Sequence, residues 1–355
     1  MLAALDINVT KVERSKLNDL NPENLPFGKY FTDHMLEADF ENGKWTNVEI
    51  KPYQPLLLEP SLSALHYGQA IFEGIKAYKD ETNNAYIFRP YDNFNRFNIS
   101  AARMCMPTVP EEIFIEGMKQ LIDLDKSWIP NKKDHSLYIR PFMFSTDCML
   151  GVKPSGTYKF VIILSPTGPY FAAPMKIFVE EKYTRAAPGG VGFAKNAGNY
   201  GGSLIAAEEA KKLGYDQVLW TDAFEHKWLQ EVGMMNVFFM IDGKAITPSL
   251  DEGTILDGVT RKTLVTLLKE ELGITVEERR ISIDELIEAF NKELVTEAFG
   301  SGTAATVALI KELRYKDTVL QFDLNKATVA VDLKKHLDKI RSCAIEDKRG
   351  WMVKI

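Results

Sequence analysis

The residues best suited to covalent chemistry lie in Pro188-Gly-Gly-Val-Gly-Phe-Ala-Lys195-Asn-Ala-Gly-Asn-Tyr200-Gly-Gly-Ser203, where six glycines surround one lysine. Glycine lets backbone approach a ligand closely, and a lysine among small apolar neighbours is desolvated, which favours its neutral, nucleophilic amine. That combination suits Schiff-base chemistry. Read blandly, the same string is a flexible loop with a solvated lysine. A second group is Glu231 in Leu229-Gln-Glu-Val-Gly-Met-Met-Asn236, an acid between two strand-like runs. It could face a protonated heterocyclic nitrogen. A buried carboxylate needs a cationic partner, and exposure on a turn is the alternative.

Three further segments suit an anion. Gly300-Ser-Gly302-Thr303-Ala304-Ala305 follows a strand-like run and formally fits the dinucleotide pattern G-x-G-x-x-A. Too little chain follows for a two-half dinucleotide fold, so the segment reads as a cradle for a single phosphate or carboxylate. Gly258-Val259-Thr260-Arg261 opens a helical pattern and presents either amides to an anion or an ordinary capped start. Arg96, in Phe88-Arg-Pro-Tyr-Asp-Asn-Phe-Asn-Arg96, is either a phosphate clamp or the partner of Asp92 four residues earlier. Patterns for P-loops, zinc proteases and serine hydrolases are absent, and the five histidines have no metal-ligand spacing. No metal site is expected.

These groups must be positioned by a mixed α/β chain. Residues 27 to 165 alternate strand-like runs (Trp45 to Ile50, Ala85 to Phe88, Leu137 to Ile139, Lys159 to Leu164) with helical segments, an α+β pattern. Pro90 suits the first turn of a helix through about Met104. The Pro/Gly-rich stretch 166–174 reads as a connector between a small α+β domain, 1–165, and a larger mixed α/β domain, 175–355. Strands are expected there at Met175 to Val179, Gln217 to Trp220, Val237 to Met240 and Leu294 to Phe299, with helices near 203–213, 259–271 and 283–290. Leu264, Leu267 and Leu268 share one face of the second helix, and Gly273 stands where it should stop.

Composition narrows the function further. The chain has 355 residues, 45% apolar and 26% charged, with a net charge of −6 and no basic block. Nucleic acid and anionic membranes are therefore unexpected partners. The longest apolar runs fall short of a membrane span, and the start carries Asp6 and no apolar signal core, so a cytoplasmic location is expected. Cys105, Cys148 and Cys343 are far apart and are expected to be reduced, buried thiols.

Taken together, the strings resemble the branched-chain aminotransferases of the fold-type IV pyridoxal-phosphate enzymes, the D-amino-acid aminotransferase-like fold. The resemblance spans Phe27-Gly-Lys-Tyr-Phe-Thr-Asp-His-Met35, His66-Tyr-Gly-Gln-Ala-Ile-Phe-Glu-Gly-Ile-Lys-Ala-Tyr78, Phe88 to Arg96, Tyr138-Ile-Arg140, Leu150-Gly-Val152, the Lys195 loop, Glu231-Val-Gly and Gly300-Ser-Gly-Thr-Ala304. It implies that Lys195 is the catalytic lysine, bonded to pyridoxal 5′-phosphate and shuttling the substrate proton. Glu231 would pair with the pyridine nitrogen, Tyr200 with the ring hydroxyl, and Arg96, Val259, Thr260 and Thr303 with the phosphate. For the substrate it implies an apolar pocket of Phe27, Tyr67, Phe72 and Tyr138, with Thr303 and Ala304 near the carboxylate. Arg140 would admit the acid side chain of glutamate, and Leu150 and Val152 would reach the neighbouring subunit's site in a homodimer.

The implied reaction is reversible amino transfer between L-leucine, L-isoleucine or L-valine and 2-oxoglutarate. D-amino-acid aminotransferase and aminodeoxychorismate lyase are the rivals on the same fold; a nicotinamide oxidoreductase using the Gly300 turn, or a cofactor-holding protein without turnover, are rivals of other kinds. Phe27 to Met35 and the Glu73-Gly-Ile-Lys-Ala string favour the branched-chain branch. Two departures from the family pattern stand out. Met234 replaces a small or hydroxyl residue after Glu-Val-Gly, and Ala305-Thr-Val-Ala308 occupies the place of a Cys-x-x-Cys pair.

Overall fold

The computed structural model describes residues 7–170 and 173–355. The described chain forms two compact units. One runs through Tyr170 and adds Ala194–Gly198 and Asp338–Ile355; the other takes the residues from 173 to Phe193 and Asn199–Leu337.

The first unit is built on a mostly antiparallel sheet of β1 (Asn8–Val9), β2 (His34–Glu41), β3 (Lys44–Pro52), β4 (Ala70–Phe72), β5 (Ile75–Lys79), β6 (Ala85–Phe88), β7 (Ser136–Ser145) and β8 (Tyr158–Thr167). Their order is β1-β3-β2-β8-β7-β5-β6, with β4 also on β7. Helices α1 (Ser63–Tyr67), α2 (Pro90–Arg103) and α3 (Gly117–Leu124) accompany it. α2 starts where proline's fixed φ and missing N–H are tolerated, and Arg89 before it takes a left-handed conformation (φ 49°). Phe97 of α2, Phe114 and Phe160 of β8 meet in the core with ring centroids 5.3 to 5.7 Å apart. The segment before β2 is strapped down by His34, whose Nε2 accepts from the Val12 N–H at 3.0 Å while Nδ1 donates to Asp125 at 2.6 Å.

The second unit contains β9 (Met175–Val179), β10 (Gln217–Thr221), β11 (Leu229–Val232), β12 (Met235–Ile241), β13 (Lys244–Thr247), β14 (Val276–Glu278), β15 (Val295–Gly302), β16 (Thr306–Tyr315) and β17 (Thr318–Gln321). Because β11 pairs with both β10 and β12, the strands β11-β10-β9-β16-β15-β12 close into a ring. Closure removes the open edges that a strand otherwise leaves. Around it lie α4 (Ala197–Gly201), α5 (Leu204–Lys212), α6 (Val259–Glu270), α7 (Ile283–Asn291) and α8 (Thr328–Arg341), the last running on into the first unit. α6 buries Leu264, Leu267 and Leu268 completely and ends on Gly273 at φ 64°, as its pattern predicts.

The structure corrects two expectations. Residues 338–355 group with the first unit: β18 (Met352–Lys354) is antiparallel to β6, and the Arg89 N–H donates to the Trp351 carbonyl at 2.6 Å. Edge pairing over such a sequence distance leaves no local pattern. The cysteines are free as expected but not buried; Cys105 and Cys148 are exposed and Cys343 is half-buried. The expected connector 166–174 includes residues 171 and 172, which lie outside the described residues.

Asp222 shapes the turn that feeds β11. Its carboxylate accepts from the N–H groups of Phe224, Glu225, Lys227 and Trp228 at 2.8 to 3.1 Å. These bonds hold its pKa down at about 2, against the opposing effect of burial. A carboxyl whose folded pKa is depressed contributes stability above its unfolded value, near 4, and loses it as pH falls toward 2. The Asp222→Ala protein should lose about 1–3 kcal/mol at pH 7, and its deficit against wild type should shrink in urea melts taken between pH 4 and pH 2.

Candidate active site

In the first unit, Lys195 is held through its main chain. Its N–H donates to Ser100 Oγ on α2 at 2.9 Å, and its carbonyl accepts from the Phe72 N–H at the end of β4 at 3.1 Å. Asn196 continues the contact as a bridge to Ile71. The Lys195 amine then lies 4.9 Å from the centroid of the Phe72 ring, half-buried beside an apolar face.

Arg96 is 7% exposed and reaches the fully buried Glu73 with two bonds, Nε to Oε1 at 2.7 Å and Nη2 to Oε2 at 2.8 Å. Asp92, the alternative partner suggested by spacing, is taken by Arg89, also through two nitrogens at 2.9 Å. The left-handed turn at Arg89 lets its side chain reach forward along the helix.

An aromatic wall stands on the neighbouring strands. Phe27 packs edge-on against Tyr138 at 4.7 Å and Tyr170 at 5.0 Å. Arg140 stacks over Phe72 at 4.7 Å and donates to the Tyr138 hydroxyl at 3.1 Å, while its Nε is buried without a hydrogen-bond partner among the described residues. Burial pushes the Tyr170 phenol up, with Tyr138 adding to the shift. Gly74 is required here, because a Cβ would come within 2.1 Å of the Tyr138 hydroxyl. Tyr67, Leu150 and Val152 are not part of this wall; they are 43%, 72% and 86% exposed on the surface of the chain.

In the second unit, Glu231 lies within strand β11 and is 4% exposed, so it is no turn residue. Its Oε2 is 3.1 Å from Arg185 Nη2, and its Oε1 accepts from the Leu256 N–H at 2.9 Å. Arg185 also donates to the Thr254 carbonyl. Asn236, directly across the ladder from Glu231, donates to the Leu256 carbonyl at 2.9 Å. Glu231 and Asn236 thus strap down the segment that leads into α6.

The α6 N-terminus begins Gly258-Val259-Thr260, with all three residues buried and no side-chain cap. Gly258 must be glycine, since a Cβ would stand 2.0 Å from Asn236 Oδ1. Ser301, opposite Asn236 on β15, is 1% exposed, and its hydroxyl finds no partner among the described residues. Thr303 and Ala304 are half-buried in the turn between β15 and β16. This turn leads into another strand, whereas a dinucleotide fingerprint opens a helix. The nicotinamide reading of Gly300–Ala305 fails on that geometry. Tyr200 is half-buried on α4, and its carbonyl accepts from the Ser203 hydroxyl.

Each unit, taken by itself, carries donors that suit part of a phosphorylated pyridine aldehyde. A primary amine can hold the aldehyde; an uncapped helix start and a buried guanidinium suit a phosphate; a buried carboxylate suits a protonated ring nitrogen. Among the described residues no cluster of three or more His, Cys, Asp or Glu side chains could hold a metal. Sequence reasoning missed Glu73, Ser100, Arg185 and Asn236 as members of the site. Glu73 and Asn236 stood inside the recognisable strings; Arg185 pairs across 46 positions (231 − 185) and carries no local signal.

Residues 70–313 match the profile of the amino-transferase class IV family. A probable branched-chain-amino-acid aminotransferase of Staphylococcus aureus (strain N315) is 49% identical over 351 residues, 97% of each chain. Branched-chain-amino-acid transaminase 1 of Bacillus subtilis (strain 168) is 47% identical over 341 residues, covering 94% of this chain and 95% of its own. The solved branched-chain amino acid aminotransferase of Escherichia coli superposes with a TM-score of 0.71 at 27% identity, over 89% of this chain and 98% of that one. The chain belongs to the amino-transferase class IV family, among the branched-chain-amino-acid aminotransferases. Enzymes of this class are pyridoxal 5′-phosphate-dependent, and their two-domain α/β architecture is the one described above.

Removing one partner of a buried ion pair leaves the other charge uncompensated. The cofactor-free Glu231→Gln protein, which removes the counter-charge of Arg185, should unfold about 3 kcal/mol more easily than wild type in urea. An unchanged midpoint would mean that Arg185 does not depend on Glu231.

Proposed function

We propose that the protein transfers the amino group reversibly between L-leucine, L-isoleucine or L-valine and 2-oxoglutarate, releasing the branched 2-oxo acid and L-glutamate in alternating half-reactions. The observation that carries this reading is the wall of Phe27, Phe72 and Tyr138 beside the Lys195 amine, with a single guanidinium, Arg140, set into it. An apolar wall suits an aliphatic side chain. That guanidinium suits the distal carboxylate of the second substrate. The relatives that share half of this sequence support the same substrate class.

The bound pyridoxal ring supplies the electron sink for the pair left when the substrate Cα–H bond breaks. Lys195 would hold the cofactor through its amine and, with that amine free, would carry the proton taken from the substrate Cα. Glu231 would set its negative charge toward the ring nitrogen and favour its protonated form. Tyr200 would pair with the ring hydroxyl. Arg96, Val259, Thr260 and Thr303 would hold the phosphate; Thr303 and Ala304 would present backbone to the substrate carboxylate. A methylene more or less in an apolar pocket changes transition-state binding by about 1–3 kcal/mol, so all three amino acids should react with modest preferences.

We also infer a homodimer in which Leu150 and Val152 enter the partner's site, because these apolar side chains are 72% and 86% exposed alongside Leu57 and Leu65. The connector at 166–174 and a cytoplasmic location belong to the same reading; no described helix is long and apolar enough to cross a membrane.

The test is the visible absorption of the purified holoenzyme before and after excess L-leucine without oxo acid, with D-alanine in parallel. Conversion by L-leucine alone supports the half-reaction and its stereochemistry; bleaching by D-alanine alone would move the protein to the D-amino-acid branch. Lys195→Ala should lower turnover by about 100- to 10,000-fold. A Lys195→Ala protein with full transamination would remove the reading.

A further inference from the structure

We propose that Ser100 is a positioning residue that ties the main chain of Lys195 to the helix bearing Arg96. Ser100 is fully buried on α2, one helical turn after Arg96. Its hydroxyl donates to the Arg96 carbonyl at 3.1 Å and accepts from the Lys195 N–H at 2.9 Å. A hydroxyl has one proton to give and lone pairs left to receive, so both bonds form at once and their directions are fixed.

These bonds close a circuit. Lys195 binds Ser100, Ser100 binds Arg96, Arg96 binds Glu73, and Glu73 follows Phe72, whose N–H binds the Lys195 carbonyl. The lysine is therefore held at both of its backbone polar groups, by a side chain of α2 and by the backbone of β4. The circuit sets the distance between the amine-bearing residue and the guanidinium without Ser100 touching either functional group. Phe72 contributes only its backbone to this circuit, so Ser100 is the member whose side chain can be changed without altering the groups that meet the ligand.

This inference rests on the reading that Lys195 carries pyridoxal phosphate, and the test separates the two. Removing the hydroxyl leaves a buried N–H without its acceptor and frees the lysine backbone to shift. The cofactor should then leave Ser100→Ala holoenzyme about tenfold faster or more on dialysis. The pH midpoint of the visible band should move as well. kcat for L-leucine should fall more than KM rises, because the aromatic wall is untouched. Ser100→Cys, nearly isosteric with a weaker acceptor, should fall between wild type and alanine, and it decides the matter if Ser100→Ala does not fold.

Phe97→Leu is the control for lost packing. Phe97 is equally buried on α2 but faces Phe114 and Phe160. It should lower the melting temperature while leaving cofactor release and the band midpoint near wild type. Ser100 variants that release cofactor and titrate like wild type would overturn the proposal, and so would Phe97→Leu moving both readouts equally. A wild-type protein with no visible band after cofactor is supplied would overturn the lysine reading and this inference with it.

Discussion

A guanidinium withdrawn from water must bring its counter-charge with it, and two such pairs determine how this chain presents its chemistry. Arg96 with Glu73 and Arg185 with Glu231 are all less than a tenth exposed in their side chains. Breaking a pair of this kind costs about 3–5 kcal/mol, a large share of a typical domain's stability. Each pair therefore fixes more than itself. Glu73 ties the segment after β4 to α2, and Glu231 ties β11 to the chain entering α6. The charged groups that would meet a cofactor are held by the same bonds that hold the backbone.

The two units use different means to stay rigid around these charges. In the first, an aromatic core under α2 leaves that helix little freedom, and the hydrogen bonds of Ser100 and Phe72 pass its position to Lys195. In the second, ring closure removes strand edges, and three adjacent strands line up Glu231, Asn236 and Ser301 as cross-ladder partners. Opposed ladder residues share a face, so the row is set by register rather than by loop conformation. A site built on strands and helix starts needs less reorganisation than one on free loops.

Substrate breadth follows from the same materials. Aromatic edges at Phe27, Phe72 and Tyr138 offer contact area but few polar groups, and Arg140 is kept in place by stacking and by the Tyr138 hydroxyl. On the proposed reading, an aliphatic side chain would lie against the rings and an acidic one would reach toward Arg140. Gly74 and Gly258 are where backbone must pass closest to a neighbouring polar atom, and both lie inside stretches that stood out in the sequence.

Local structure was legible in the sequence: the proline start of α2, and the leucine face and glycine stop of α6. Each depends on residues a few positions apart, where backbone geometry and helical period act directly. The family likeness was legible too, because its strings keep their order along the chain. Pairing was not. Spacing offered Asp92 to Arg96, and the fold gave it Glu73; for Glu231 the sequence left a turn position and a buried one open, and the fold buries it beside Arg185. The C-terminal strand pairs with β6, more than 250 positions earlier (352 − 88 = 264). Which carboxylate answers which guanidinium, and which edge receives the last strand, is decided by desolvation and by the closing of the core. Those forces act between residues that only the tertiary structure brings together.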